Sequence, residues 1–321
     1  DGRNVAKFTV EERWTIKPVL SGAFGGRSFW IILGLSERNL LGHYLFAEAL
    51  YQNFNGVHGG RLYFENPRLL RTFTNFIAVG ESMLRTRPVN TVQRTKGRAS
   101  LYRLVHGDMI QFGGAAEVFA DYFYPAYDGT NEFVHSMFGW FVEPQFRYGR
   151  IVRTRNLSAG RTVEIKPQFG YVAQGNPKYF AQALVEAILF WKLGDRVNLI
   201  QRIRGGTTTT VPKHMTFFLG GTDYSRGYAD NTFQLDHYAL FNFDFRVVTL
   251  DKNWMAILPY LFTDGIVGTG SIQGFRAGLS VGAGLLFTIP IIAASELRID
   301  ISLPVQQPVA PAFGISTVLF Y

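Results

Sequence analysis

The chain has 321 residues, of which 47% are hydrophobic, 15% aromatic and only 17% charged, with a net charge of +8 and no cysteine. The lack of cysteine excludes disulfides and thiolate metal sites, and no apolar run approaches the roughly 20 residues that a membrane-spanning helix needs. Lys and Arg are scattered along the chain, so the positive charge does not predict a nucleic-acid partner.

A two-residue period of apolar and polar side chains recurs along the chain. It is clearest at 296–303, where apolar side chains occupy the odd positions and polar ones the even positions. Successive side chains of a strand point to opposite sides, and in a membrane barrel one side meets lipid and the other a polar lumen. The pattern predicts sixteen strands, at about 13–22, 28–38, 43–53, 57–65, 70–82, 97–105, 109–122, 135–149, 162–173, 178–191, 195–205, 233–249, 253–264, 273–288, 295–303 and 312–321.

The predicted connections alternate in length, with short turns after even strands and longer loops after odd ones. Long loops are expected at about 84–97, 123–134 and 206–232, and the last is loop six. The turn at about 150–161 is too long for the short side. We predict an all-β fold, a 16-stranded antiparallel transmembrane β-barrel. A soluble β-sandwich also alternates, but it would carry charges on the exposed face of nearly every strand.

The last predicted strand ends in an aromatic residue. Phe313, Ile315, Leu319 and Tyr321 lie on one face of it. This arrangement resembles the C-terminal signal of barrels that are folded into the outer membrane. An ordinary edge strand is the alternative interpretation.

Motifs of catalysis are absent from the sequence. It contains no P-loop, no HExxH and no Cys-x-x-C, and its six histidines lack the spacing of metal ligands. His135 and Ser136 are adjacent, so on a strand they would face opposite sides and could not pair as base and nucleophile. We therefore predict that the protein is not an enzyme and uses no cofactor and no metal.

The segment Phe217–Tyr228, FFLGGTDYSRGY, lies in loop six. It resembles the loop-six motif of the BamA, TamA and FhaC superfamily, in which paired glycines precede Arg-Gly-Tyr or Arg-Gly-Phe. The matching residues are Gly220, Gly221, Arg226, Gly227 and Tyr228. The resemblance implies that loop six is re-entrant: it folds back into the barrel, where its arginine pairs with an acid and an aromatic side chain on the inner wall.

Candidate partners of Arg226 follow in the next two strands. Asp244 matches the family's inward acid, and Phe262 and Asp264 match its Phe-x-Asp pattern. An arginine inside a barrel needs such partners because an unpaired buried charge is costly, and a ring offers its face to the guanidinium. The alternative is that Arg226 lies in solvent on an external loop.

Shorter fragments extend the resemblance to about residues 10–321. They are Asn-Leu-Leu-Gly at 39–42, Glu-Asn-Pro at 65–67 and the strand at 297–304. Family members usually carry POTRA domains before the barrel, but only about a dozen residues precede the first predicted strand. We expect a short periplasmic segment at 1–12, a barrel at 13–321 and a member without POTRA domains, either by nature or through their removal.

The resemblance implies a protein of the bacterial outer membrane that assists polypeptide insertion or export through its lumen or the seam between its first and last strands. The implied partners are outer-membrane lipid and an unfolded barrel or exported polypeptide. Pro18 near the seam cannot donate to a strand ladder. The alternative is a passive pore, or a structural or membrane-perturbing barrel that forms homo-oligomers and has no insertase activity.

Overall fold

The computed structural model describes residues 15–25, 28–87, 90–124, 136–154, 156–174, 178–221, 224–289, 295–305 and 311–319. Two short 3-10 helices occur among them, at Leu69–Arg71 and Lys213–Met215. The strands are β1 Ile16–Gly25, β2 Ser28–Leu40, β3 Leu45–Phe54, β4 Val57–Asn66, β5 Thr74–Arg87, β6 Asn90–Val105, β7 Ile110–Tyr124, β8 Ser136–Thr154, β9 Leu157–Val172, β10 Tyr179–Leu193, β11 Val197–Thr208, β12 Phe217–Leu219, β13 Phe233–Leu235, β14 His237–Val247, β15 Leu250–Asp251, β16 Ala256–Gly270, β17 Gly274–Ile289, β18 Ser295–Pro304 and β19 Ala312–Leu319.

Sixteen of these strands form a closed antiparallel barrel. β1–β11, β14 and β16–β19 each pair with their neighbours along the chain, and β1 closes the ring by pairing with both β2 and β19. The short β15 pairs with β16, and β12 and β13 form a separate two-stranded hairpin. The predicted sixteen-stranded barrel is confirmed, and the sandwich alternative is wrong.

The two faces of the wall differ in chemistry. On β6, Arg94, Lys96 and Arg98 form ion pairs with acids of β5, β7 and β8 on the inner face. On the same strand Leu101 points outward and is 48% exposed. This division suits a wall with lipid outside, because a closed barrel satisfies its backbone groups within the wall. Among the described residues, no helix is long and apolar enough to cross a bilayer.

Two of the predicted connections are wrong. The region 84–97 is not a long loop, because β5 extends to Arg87 and β6 begins at Asn90. The inward Arg94 and Lys96 interrupt the apolar pattern of the sequence, although both side chains form ion pairs inside the lumen. The region 150–161 belongs mostly to β8 and β9, which run to Thr154 and from Leu157.

Several predicted strand ends also differ, among them the starts of the strands that became β5, β14 and β16. Residues 70–73 form a turn before β5, residues 233–235 belong to a loop hairpin, and residues 253–255 precede β16. The barrel end with the connection from β11 to β14 is called the loop end below. The opposite end, which carries the β8–β9 connection, is called the turn end.

Candidate functional site

The described residues of loop six between β11 and β14, 209–221 and 224–236, lie against the inner wall. Its β12 and β13 pair from Phe217↔Leu235 to Leu219↔Phe233. Leu219 and Leu235 are 2% and 0% exposed, in a cluster with the inward wall residue Ile266. The loop therefore has a folded core of its own, and this core is packed on the barrel.

Arg226 is buried in the lumen, with 6% of its surface exposed. Its Nε and Nη2 donate to the two carboxylate oxygens of Asp264 at 2.8 and 2.7 Å, and its backbone N–H donates to the same side chain at 2.9 Å. Nη2 also donates to Asp244 Oδ1 at 2.8 Å. The loop is thus bonded to two neighbouring strands, β14 and β16, by one guanidinium.

An aromatic ring, an amide and a second arginine surround this ion pair and contact its charged groups. The Arg226 guanidinium carbon lies 3.7 Å from the centre of the Phe262 ring, within the range of a cation–π interaction. Asn242 donates to Asp264 at 2.8 Å, and Arg246 donates to Asp244 at 2.7 Å. Two arginines and two aspartates balance in charge, which is what makes burial of the group tolerable.

Glycine is required where loop six turns. Gly220 has φ 128°, and a Cβ there would lie 2.3 Å from the backbone oxygen of Ala229. Gly221 donates its N–H to Tyr228 O at 3.0 Å. Gly227 has φ 93°. The backbone conformation of the Arg226 turn therefore depends on residues without a side chain.

Tyr228 holds the turn against the next strand. Its hydroxyl donates to Leu279 O and accepts from Leu279 N–H, both at 3.1 Å. Leu279 belongs to β17, so the Arg-Gly-Tyr turn contacts three consecutive barrel strands. The structure brings Arg226, Tyr228, Asp244, Phe262 and Asp264 into one site.

The other predicted site residues lie elsewhere. Phe313 and Ile315 on β19 are 46% and 37% exposed on the outer face. Leu319 ends β19, and Tyr321 lies outside the described residues. The C-terminal signal therefore stays a prediction.

A second contact between loop six and the wall was missed by the sequence reasoning. His214 is 4% exposed, and its Nε2 lies 2.9 Å from Asp121 Oδ2 on β7. Arg94 donates to both oxygens of Asp121 at 2.7 Å, and the Phe123 ring meets the imidazole edge-on with centroids 4.9 Å apart. Only the inward acid at position 121 signalled this contact, because its partner lies 93 residues away in sequence.

Further ion pairs cover the inner wall beside this contact. Lys96 lies 3.7 Å from Glu81 and 3.8 Å from Glu117, and Arg98 pairs with Glu117 and Glu143. The wall from β5 to β8 is therefore charged, and these acidic and basic side chains are paired with one another. In the part of the chain that the structure describes, no three histidine or carboxylate side chains are arranged to hold a metal.

The seam between the first and last strands is short. Within the described residues, β1 pairs with β19 over four positions, from Gly22↔Thr317 to Gly25↔Gly314. On its other side β1 pairs with β2 over ten positions, beginning at Ile16↔Glu37. The described pairing of the seam thus lies at the loop end of β1, and Pro18 lies outside it.

Comparison with known proteins identifies the architecture. No protein-family model and no curated protein matches the chain. The crystal structure of BamA from Haemophilus ducreyi lacking POTRA domains 1–3 superposes with a TM-score of 0.74 at 11% identity, over 96% of this chain and 70% of that one. The fold is that of the BamA and CdiB barrels.

Two CdiB structures give similar values. CdiB from Acinetobacter baumannii has a TM-score of 0.66 at 14% identity, over 96% of this chain and 60% of its own. CdiB from Escherichia coli has a TM-score of 0.68 at 12% identity, over 97% and 64%. The chain thus spans less than two thirds of either CdiB chain. At these identities the likeness to BamA and CdiB establishes the barrel fold.

Proposed function

We propose that this chain is the barrel of a bacterial outer-membrane protein that assists the insertion or export of polypeptides. Its seam or its lumen provides the route. The observation that carries the proposal is the short pairing of β1 with β19. A fold shared with BamA and CdiB supports it by analogy.

The seam has the properties of a site that pairs with a further strand. A barrel normally abolishes strand edges, and an exposed edge templates the addition of another strand. Four described pairs join β1 to β19, against ten between β1 and β2 and eight between β18 and β19. Among the described residues, separating the seam therefore breaks fewer residue pairs than separating either neighbouring pair of strands.

Loop six supports the strands beside the seam. Tyr228 bonds to Leu279 of β17, and a Cβ at Gly227 would lie 3.3 Å from Ser302 Oγ on β18. β18 is the neighbour of β19. The Arg226 site can thus keep β14 to β18 in place while β19 separates from β1.

The outer surface is suited to lipid. Large apolar side chains are exposed on strand after strand, such as Leu62 at 66%, Val118 at 52% and Leu261 at 60%. Such a surface would be a liability in water but is the norm in a bilayer. Outer-membrane lipid and an unfolded or exported polypeptide are the partners that this proposal requires.

A passive pore has less support. Loop six occupies part of the lumen, and a cavity of about 530 Å³ lies between it and wall residues such as Trp30, Phe54 and Met83. Oligomer formation would need contacts beyond this single chain.

The seam proposal is tested with a reversible cross-link. The pair Ala23→Cys and Ser316→Cys lies at directly opposed positions of β1 and β19, in a chain that has no other cysteine. The reconstituted protein is supplied with an unfolded outer-membrane barrel, and substrate folding is followed. We expect acceleration in the reduced state, loss of it on oxidation and recovery with reductant.

A matched control locks a different strand pair. Ser100→Cys and Ala115→Cys are directly opposed on β6 and β7, and their disulfide should leave the acceleration unchanged. Equal acceleration with the seam locked and unlocked would refute the seam route. Absence of acceleration in a folded barrel would refute autonomous insertion.

A further inference from the structure

The β8–β9 hairpin has an unusual tip at the turn end. Its residues 150–154 and 156–161 are called the hairpin tip. The tip is preceded by Gly149 with φ 107° and contains Gly160 with φ 119°. A Cβ at Gly149 would lie 2.1 Å from Arg161 O, and a Cβ at Gly160 would lie 2.1 Å from Arg150 O. Glycines with such a backbone inside paired strands mark sharp bends.

Leu157 shows where the bend directs the tip. It is 4% exposed and lies in a buried cluster with Leu258 of β16 and Leu286 of β17. These two side chains point into the lumen, because they share a strand face with Asp264 and Ser280 respectively. In the wall, β10, β11 and β14 lie between β9 and β16. Leu157 therefore reaches its partners through the lumen.

Polar contacts extend farther across the opening. Arg153 Nη2 lies 2.8 Å from Glu296 Oε1 on β18. Six strands, β9, β10, β11, β14, β16 and β17, lie between β8 and β18 in the ring of sixteen. The two residues thus come from nearly opposite sides of the barrel.

Three further hydrogen bonds hold the flanks of the tip. Asn156 Nδ2 donates to Asp251 Oδ1 at 2.9 Å. The backbone N–H of Ser158 donates to Asn198 Oδ1 at 2.9 Å, and Asn198 Nδ2 donates to the backbone oxygen of Ser158 at 2.8 Å. Together with Leu157 and Arg153, these contacts join the tip to β11, β15, β16, β17 and β18.

We propose that the hairpin tip is a lid that closes the turn end of the lumen and opens by rotation at Gly149 and Gly160. The inward side chains at this end support it, since Ala256, Leu258 and Leu286 are 0%, 1% and 4% exposed. Without the tip, these apolar side chains would line an aqueous opening. The lid controls access of water-soluble molecules to the lumen. The statement that these molecules include polypeptides rests on the proposed function.

The test measures access to a thiol beneath the lid. Leu286→Cys places the only cysteine of the chain under Leu157, and a bulky, water-soluble maleimide reports its exposure. In the otherwise unchanged protein we expect slow labelling. Gly149→Ala with Gly160→Ala should make it at least about tenfold faster, because the bent closed state is no longer accessible. Arg153→Ala should accelerate it less.

Matched controls separate the lid from general loosening. Arg150→Ala removes an exposed arginine of the same tip and should leave labelling of the thiol at 286 unchanged. Asp195→Cys, whose native side chain is 97% exposed on a neighbouring turn, should label rapidly in every background. If the glycine double variant does not fold, replacement of residues 152–159 by Asn-Gly gives a shorter hairpin with a favoured turn.

The outcomes are distinct. Faster labelling at 286 in the glycine or shortened variant supports the lid. Equal labelling in all backgrounds overturns it: equally fast rates mean that the opening is never covered, and equally slow rates mean that another segment covers it. The assay contains no substrate polypeptide, so failure of the insertase proposal would leave this result unaffected, and the reverse also holds.

Discussion

Two of the contacts that hold loop six to the barrel use similar groups in different ways. At one, Arg226 of the loop supplies the cation for Asp264 and shares Asp244 with Arg246. At the other, His214 of the loop contacts Asp121, which already has Arg94 of the adjacent strand as its cation. The first site leaves the wall with unbalanced charge when the loop leaves, whereas the second does not.

The strands β14 and β16 depend on the loop more than β6 and β7 do. Asp264 is 0% exposed and takes three hydrogen bonds from Arg226. The strands β14 and β16 therefore have a buried acid whose cation comes from outside the wall. β6 and β7 pair their charges with each other, so their part of the wall is stable without loop six.

Arg226→Ala should lower the stability of the barrel more than any other single change considered below. It leaves Asp264 buried without a cation, and breaking a buried pair in this way costs about 3–5 kcal/mol. The midpoint of heat or urea unfolding, read from the mobility shift of the folded barrel, should fall clearly. Arg226→Lys keeps the charge but loses the paired hydrogen-bond geometry of the guanidinium. Its unfolding midpoint should therefore lie between those of the unchanged protein and Arg226→Ala. An unchanged midpoint in the alanine variant would contradict the dependence of β14 and β16 on the loop.

Substitutions of the two aspartates should lower the stability of the barrel by different amounts. Asp264→Asn should destabilise the barrel more than Asp244→Asn, because Asp264 accepts more bonds from Arg226 and is fully buried. Each substitution leaves a surplus positive charge, but in Asp244→Asn the second arginine, Arg246, is 22% exposed and can turn to water. Unfolding midpoints measured side by side give the order, and the reverse order would contradict this account.

His214→Ala should have a smaller effect: it should lower the free energy of local opening of loop six by about 1–3 kcal/mol, because one buried hydrogen bond and ring packing are lost. Asp121 stays paired with Arg94, so the barrel wall should remain intact. The expected change is local: faster protease cleavage within loop six at an almost unchanged unfolding midpoint. A fall as large as that of Arg226→Ala would mean that the two sites are equivalent after all.

The smallest effect is expected from Tyr228→Phe. It removes one hydroxyl that bonds to Leu279 of β17, at a cost of about 0.5–1.5 kcal/mol. Hydrogen exchange of the Leu279 amide should rise while exchange on β6 and β7 stays the same. An equal rise in hydrogen exchange at Leu279 and on β6 and β7 would argue against a local role of this bond.

Much of the barrel could be predicted because strand periodicity is a local property. β18 alternates so regularly that its bounds follow from eight residues. The segment at 84–97 could not be placed this way, since Arg94 and Lys96 look like loop residues until their partners on neighbouring strands are known. The bend at Gly149 is equally invisible, because a glycine in a strand does not say which way the chain turns.

The site was predictable in part for a similar reason. The residues around Arg226 could be named because Arg226 of the motif and Asp264 of the Phe-x-Asp pattern are only 38 residues apart, with the inward acid between them. His214 gave no such signal. Its contact with Asp121 depends on how loop six crosses the lumen, and that path is set by packing of Leu219 and Leu235 rather than by a short pattern.

The short β1–β19 register has a consequence for the barrel's own folding kinetics. It joins residues 22–25 to residues 314–317, almost the full length of the chain apart. Pairing of such distant segments has the largest entropic cost of loop closure and therefore forms late in folding. The nascent barrel should therefore pass through a curved, open sheet with two free edges, and ring closure should be its slowest conformational step. The same weak junction that is proposed to serve a client strand would thus set the rate at which this protein matures.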